Sequence, residues 1–312
     1  MPTKPISDQL LVETYKIYLA ENKNIHATAR ALKITPQSIH HRLDKFKERF
    51  PNGLPENNEN TKIWTYPKCL KIYAPKTKWI IGSDLHAWDA NPTKIYNAFC
   101  VIAKKLKVDG IILNGDIIDG ARISRHAIPL RSKSPKIAQE IDATKTLLKM
   151  LPNTKYKCWT IGNHDIRIDN YVAANASELD NYIISLQEHF PNWQMSYAVE
   201  INGNTEIRHR YRSGIHAAWN NTLHSGINIL TGHTHQLSLT AQRDRRGSRY
   251  GIETGMLGDP DGPQFEYTEG APSRAQQGFV VISFDEDGQL LPPEICEMVR
   301  GRPIFRGDPV FI

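Results

Sequence analysis

Five short clusters in this 312-residue chain carry side chains that bind divalent cations. They are Asp84-Leu85-His86, Gly115-Asp116-Ile117-Ile118-Asp119, Gly162-Asn163-His164-Asp165, a histidine between positions 209 and 216, and Gly232-His233-Thr234-His235. Carboxylate, carboxamide and imidazole donors without a thiolate suit hard-to-borderline metals such as manganese, iron or zinc. Two such ions about 3.5–4 Å apart need one ligand that touches both, and a carboxylate does so readily. Asp116 is the candidate bridge. A water shared by two cations gives up a proton far more readily than bulk water, so the expected cofactors are two divalent metal ions, manganese first.

The elements that must position these donors are legible in the apolar pattern. Runs 79–83, 110–114, 156–161 and 227–231 are short and apolar, as buried strands are, and each runs directly into a donor cluster. Between them lie amphipathic helices expected over 93–106 and 135–150, the second opened by Ser134-Pro135. The donors therefore fall at the carboxyl ends of strands, where α/β sheets gather their ligands. The tail from 258 to 312 predicts a strand at 278–284, a turn at 285–288 and a strand near 294–299, completing a sheet edge or partly roofing the site.

The first fifty residues read differently. Apolar spacing predicts a helix over 8–21, a second capped by Asn24 and carrying Ile25, Ala29 and Leu32, and a third from Pro36 carrying Ile39, Leu43 and Phe46. Residues 27–43 resemble a helix-turn-helix, although Lys33 stands where that motif often has glycine. The resemblance implies that the third helix enters a major groove and presents Gln37, Ser38, His41, Arg42 and Lys45 to DNA. Nine Lys or Arg against five Asp or Glu in residues 1–50 agree with a polyanionic partner, DNA or another nucleic acid. The polar run 51–66 reads as a linker.

As an ordered set, the five clusters resemble the calcineurin-like metallophosphoesterase superfamily over 78–253. The resemblance implies an α/β fold, a four-layer α/β/β/α sandwich over 67–312, behind a small all-α helix-turn-helix domain at 1–50. It implies that Asp84, His86 and His235 bind one metal, that Asn163, His233 and a fourth-motif histidine bind the other, and that Asp116 bridges. His164 becomes the general acid with Asp165 orienting it, and Asp119 supports a ligand histidine from behind. For the fourth histidine, His209 is favoured because 205–211 reads as a strand, with His216, which opens a helical run, as the alternative. Arg122, Arg125 and Arg167 follow motif residues and suit a phosphate, Arg167 foremost. Gly120 and Asp165 replace the Arg and Glu of protein Ser/Thr phosphatases, which counts against a phosphoprotein substrate.

Composition sets the outer bounds. With 40% hydrophobic residues the chain can bury a large core, and its net charge of +6 is modest. Cys69, Cys100, Cys158 and Cys296 form no Cys-x-x-Cys pair and read as reduced core residues. No leader and no apolar run near the roughly 18 residues of a membrane span is seen, so the expectation is a cytoplasmic protein without a membrane partner. The leading expectation is a nuclease tethered by a DNA-binding module. A phosphomonoesterase or small-nucleotide phosphodiesterase is the second reading, and a non-catalytic DNA-binding or scaffold protein with a vestigial site the third.

Overall fold

The computed structural model describes residues 6, 8–21, 23–50, 66–124, 133–176, 178, 185–245, 247–268 and 273–312. The chain divides into two compact units, Met1–Lys62 and Ile63–Ile312. Of the linker expected at 51–66, residues 51–65 lie outside the described residues. Tyr66 is instead a buried member of the second unit's core.

The first unit holds helices α1 (Asp8–Ala20), α2 (Ile25–Leu32) and α3 (Pro36–Arg49). Asn24 accepts the Ala27 N–H at 3.1 Å and Thr35 accepts the Ser38 N–H at 3.2 Å, so both later helices start on a side-chain cap. Ala29, Ile39 and Leu43 form the centre, flanked by Tyr15, Tyr18, Ile25, Leu32 and Ile34, and Tyr15 stacks on Phe46 with ring centroids 4.0 Å apart. Lys33 turns the chain between α2 and α3 with φ 53°, and the Ile34 N–H reaches back to Ala29 O at 3.1 Å. This is the left-handed helix terminus for which glycine is the usual residue.

The second unit is built on two sheets. Strands β1 (Leu70–Ile72), β2 (Lys78–Gly82), β3 (Gly110–Leu113), β4 (Tyr156–Thr160), β5 (Gln194–Ser196), β6 (Ala198–Ile201), β7 (Thr205–Arg208), β8 (Asn228–Thr231), β9 (Leu237–Asp244), β10 (Gly247–Thr254), β11 (Gly278–Ser283), β12 (Glu294–Val299), β13 (Arg302–Phe305) and β14 (Asp308–Pro309) are joined by helices α4 (Lys94–Lys105), α5 (Ile137–Leu148), α6 (Arg167–Asn175), α7 (Leu186–His189) and α8 (Ala217–Ser225). The larger sheet runs β14-β13-β12-β11-β2-β3-β4-β5 and the smaller β1-β6-β7-β8-β10-β9. Strands β2 to β5 pair in parallel, as do β7 with β8 and β8 with β10.

The layers follow from the period-two alternation of strand side chains. Trp79, Ile81, Ile112, Cys158, Val280 and Ile282 of the larger sheet meet Val199, Ile201, Ile207, Leu230 and Ile252 of the smaller in one core. Alternate residues Ile80, Ile111, Trp159, Phe279 and Val281 face Phe99, Ile102, Ile141 and Leu147 of α4 and α5 in another. Helix α8 packs on the outer face of β8, β9 and β10. The result is a four-layer α/β/β/α sandwich.

One expectation changes. Helix α5 begins at Ile137, two residues beyond Pro135, because the Gln139 side chain accepts the Lys136 N–H at 2.8 Å and closes the first turn there. The C-terminal tail forms the expected sheet edge: β11 pairs with β2, aligning Val280 with Ile81, and adds four antiparallel strands beside the parallel ones. Cys100, Cys158 and Cys296 are buried, Cys69 partly so, and all are free thiols. Among the described residues no helix is long and apolar enough to cross a membrane.

Replacing Lys33 by glycine removes left-handed strain at the cost of some backbone entropy in the unfolded chain. The net gain expected for the first unit is about 0.5–1 kcal/mol, measurable as a higher urea midpoint for its transition.

Candidate metal centre

The donors leave their strands on strained backbone. Asp84 follows β2, Asp116 follows β3, Asn163 follows β4, His209 follows β7, and His233 and His235 follow β8. Asp84 (φ 54°), His86 (φ 45°), Asp116 (φ 52°), His233 (φ 71°) and His235 (φ 58°) all lie in the left-handed region, which costs a side-chain-bearing residue roughly 1–2 kcal/mol. Strain of this kind concentrated on one group of polar residues points to function. The motif glycines make room: a Cβ at Gly162 would lie 2.1 Å from Asp116 Oδ1, and one at Gly115, where φ is 80°, would lie 2.4 Å from the His209 ring.

The donor atoms converge. His235 Nε2 lies 3.2 Å and His86 Nε2 3.9 Å from Asp84 Oδ1. His209 Nε2 lies 3.0 Å and His164 Nε2 3.9 Å from Asp116 Oδ2. Three overlapping groups result, Asp84-His86-His235, His86-Asp116-His164 and Asp116-His209-His233, each with ligand atoms within 4.8 Å of one another. Asp116 belongs to two of them, the position a bridging carboxylate occupies. Asp84 Oδ1, His86 Nε2, Asn163 Oδ1 and His209 Nε2 are buried without a hydrogen-bond partner. A bare buried polar group costs about 1–3 kcal/mol, so the three that belong to these converging groups, on Asp84, His86 and His209, fit divalent cations, and Asn163 lies next to His164 in the chain. The residues present can thus hold one cation through Asp84, His86, His235 and Asp116, and another through Asp116, Asn163, His209 and His233.

Their surroundings fix which imidazole nitrogen is bare. His209 Nδ1 lies 2.7 Å from Asn114 O, and a carbonyl only accepts, so Nδ1 carries a proton and Nε2, facing Asp116, is the nitrogen left for a cation. Asp119 Oδ1 does the same for His86 Nδ1 at 2.9 Å, receives His164 Nδ1 at 3.0 Å, and its Oδ2 accepts from Trp88 Nε1 at 3.0 Å. Burial alone would raise the Asp119 carboxyl, but the His164 and His86 imidazoles more than offset it and hold it far below the usual range. His216, by contrast, is exposed at the start of α8 and belongs to none of the three groups.

Asp165 is placed otherwise than expected. Its carboxylate accepts the N–H groups of Asp116, Ile117, Ile118 and Gly162 and the Trp159 indole, at 2.9–3.2 Å, so it shapes the Asp116 loop. The carboxylate that meets His164 is Asp119. Arg167 donates to Asp119 O at 2.8 Å and lies 3.0 Å from His164 Nε2; Arg122 donates to Ser134 O, and Arg125 lies outside the described residues.

Several supporting residues escaped the sequence reading because their partners are distant in the chain. Glu140 is fully buried in α5 and accepts the Asp119 and Gly120 N–H groups at 3.1 and 2.6 Å. Burial pushes its carboxyl up to about 7, against the pull of the Gly120 N–H. Glu253 accepts from Thr234, which stands between His233 and His235, and from Ser238. Phe265 packs edge-on to both His86 and His235, with centroids 5.2 and 5.4 Å away. Burial opposes charge on His209, yet Asp116 and Asp84 lift it to about 9, so the field of the pocket favours positive charge. Burial and His209 together depress His233 to about 4.

In the first unit, Gln37 and His41 are exposed on α3. Ser38 contacts the Thr35 hydroxyl at 2.9 Å, Arg42 donates to Thr14 at 3.2 Å, and Lys45 pairs with Glu48 at 2.7 Å. Of the five candidate DNA contacts, three are thus engaged within the unit.

The Glu140 carboxyl gives a pH test. Between pH 4.5 and about 7 the unfolded chain sheds this proton while the folded chain keeps it, so stability falls over that window. Relative to Glu140→Gln, wild type should lose about 3 kcal/mol across it, read by urea denaturation at each pH.

Residues 78–246 match the family described as calcineurin-like phosphoesterase, and residues 11–58 match the PucR C-terminal helix-turn-helix domain. No curated protein matches the chain. Similar solved structures include wild-type Vps29 complexed with zinc from Entamoeba histolytica, at 12% identity and TM-score 0.37, covering 75% of this chain and 98% of that one. Another is an archaeal phosphodiesterase at 15% identity and TM-score 0.37, covering 70% and 99%. The phosphoesterase YfcE from E. coli has 15% identity and TM-score 0.32, covering 69% and 97%. With more than half of its length in the matched domain, the chain belongs to the calcineurin-like phosphoesterase family and is a hydrolase of phosphoric esters, carrying a helix-turn-helix unit at its amino end.

Proposed function

We propose that the protein is a dinuclear phosphodiesterase, served best by manganese, that cleaves nucleic-acid diesters while its first unit holds DNA. The observation that carries this reading is the coexistence of converging buried donor atoms on Asp84, His86 and His209 that lack a hydrogen-bond partner with a helix-turn-helix in the same chain. A cation pair bound there lowers the pKa of a water and neutralises charge on phosphoryl oxygens. Asp116 is the shared ligand, His209 and not His216 the fourth-motif ligand. His164 is braced through Nδ1 by Asp119, and its Nε2, which accepts from Arg167 here, takes up and delivers the proton for the departing alkoxide once Arg167 turns to the phosphate. Arg167, 3.0 Å from that nitrogen, pairs with a phosphate oxygen on the same side of the centre. Asp165 acts on neither proton; it keeps the Asp116 loop in its left-handed turn. Gln37 and His41 read base edges, and tethering raises the local concentration of substrate.

Metal content separates the two candidate histidines. Manganese-saturated wild type should hold two ions per chain by elemental analysis, His216→Ala should keep two, and His209→Ala should fall to about one. Loss in His216→Ala with retention in His209→Ala would reverse the assignment.

Activity tests the function itself. The manganese-loaded protein should hydrolyse bis-para-nitrophenyl phosphate faster than para-nitrophenyl phosphate and should cut labelled DNA. Turnover of the monoester alone would establish a phosphomonoesterase. Deleting residues 1–50 should leave small-diester turnover intact while DNA affinity falls and loses part of its salt dependence.

A further inference from the structure

Beside the centre lies a cleft of about 520 Å³ that the chemistry above does not use. Gly162 and His233 are part of its lining, so it reaches the centre at His233. Its outer walls carry Tyr197, Arg208, Arg210 and Tyr211. The placement follows from strand alternation: β7 and its continuation turn Ile207 and His209 inward, so Arg208 and Arg210 fall on the opposite side. The Arg208 guanidinium lies 5.5 Å from the Tyr211 ring centroid, and its Nε is buried without a hydrogen-bond partner, 3.3 Å from Glu206 Oε1. Tyr211 is 40% exposed and Arg210 is exposed, so both a ring face and a cation are open to a ligand. Tyr197 is backed edge-on by the Tyr66 ring at 6.0 Å, which makes that wall rigid.

We infer that this cleft binds an unpaired nucleotide of the strand being cut, its base stacked on Tyr211 or Tyr197 and its neighbouring phosphate paired with Arg208 and Arg210. The inference rests on the proposed nuclease reading. Aromatic faces set among cations are how single strands are held without base-edge readout. The volume is that of a single small-ligand site, and a base-paired duplex is too wide to enter it. The substrate is therefore a single-stranded nucleic acid or an unpaired end.

The test uses the full-length, manganese-loaded protein and an end-labelled oligonucleotide, either unpaired or as a blunt duplex, or unpaired with one abasic residue next to the cut phosphate. The unpaired strand should show a KM at least tenfold below the duplex. The abasic strand should raise KM about tenfold in wild type and less than twofold in Tyr197→Leu/Tyr211→Leu, because the lost stacking is already gone there. Bound metal per chain and the thermal midpoint report that this variant is folded. A surface change, Arg210→Gln, should reduce the slope of log KM against log salt by about 0.7. Equal KM for strand and duplex, or an abasic penalty undiminished in the double variant, would overturn the cleft assignment and leave the nuclease reading standing. Cleavage confined to dinucleotides would overturn it in favour of a small-nucleotide site. Turnover of bis-para-nitrophenyl phosphate with no cut in any nucleic acid would overturn both.

Discussion

Two carboxylates, Asp84 and Asp116, are buried in one pocket among imidazoles, Asp84 Oδ1 without a hydrogen-bond partner, and much of the second unit is arranged around that fact. An unpaired buried charge is among the most expensive things a fold can contain, and its natural remedy is a cation. The surrounding groups each remove one way of escaping that demand. Asn114 O and Asp119 engage the outer nitrogens of His209 and His86, so the inner nitrogens are the ones turned to the pocket. Asp165, through five N–H groups, stops the Asp116 loop from relaxing away. The layered sheets supply only the rigid frame from which these side chains project.

Much of this was legible in the sequence because the information is local. Each donor cluster lies within a few residues of the apolar run that positions it, and metal donors in a fixed order leave few alternatives. The strand read over 205–211, of which 205–208 forms, led to His209, which lies 3.0 Å from Asp116, while His216 is exposed. What was not legible depends on residues far apart in the chain. Asp165 sits next to His164 in sequence, yet its partners come from Trp159 and the Asp116 loop, 6 and 47–49 positions away. Glu140 reads as one more polar residue on an amphipathic helix until the fold brings it under Asp119. Phe265 and Glu253 are equally silent. The tail's place beside β2 could not be read either, since strand order is a property of pairing and not of pattern.

The first unit shows the same division. Caps at Asn24 and Thr35 and the apolar stripe of α3 are short-range signals, and they give the helices within a residue or so. Which polar residues remain available is a different matter: Arg42 and Lys45 look outward by periodicity, but Thr14 and Glu48 engage them. A long flexible side chain goes to whatever partner is within reach, and periodicity does not record partners.

The five left-handed donors also have a thermodynamic consequence. A protein is only marginally stable, and strained backbone at the converging donors draws on that small margin. A cation that binds the folded pocket and not the unfolded chain returns stability to the fold at the place where the backbone gives it up.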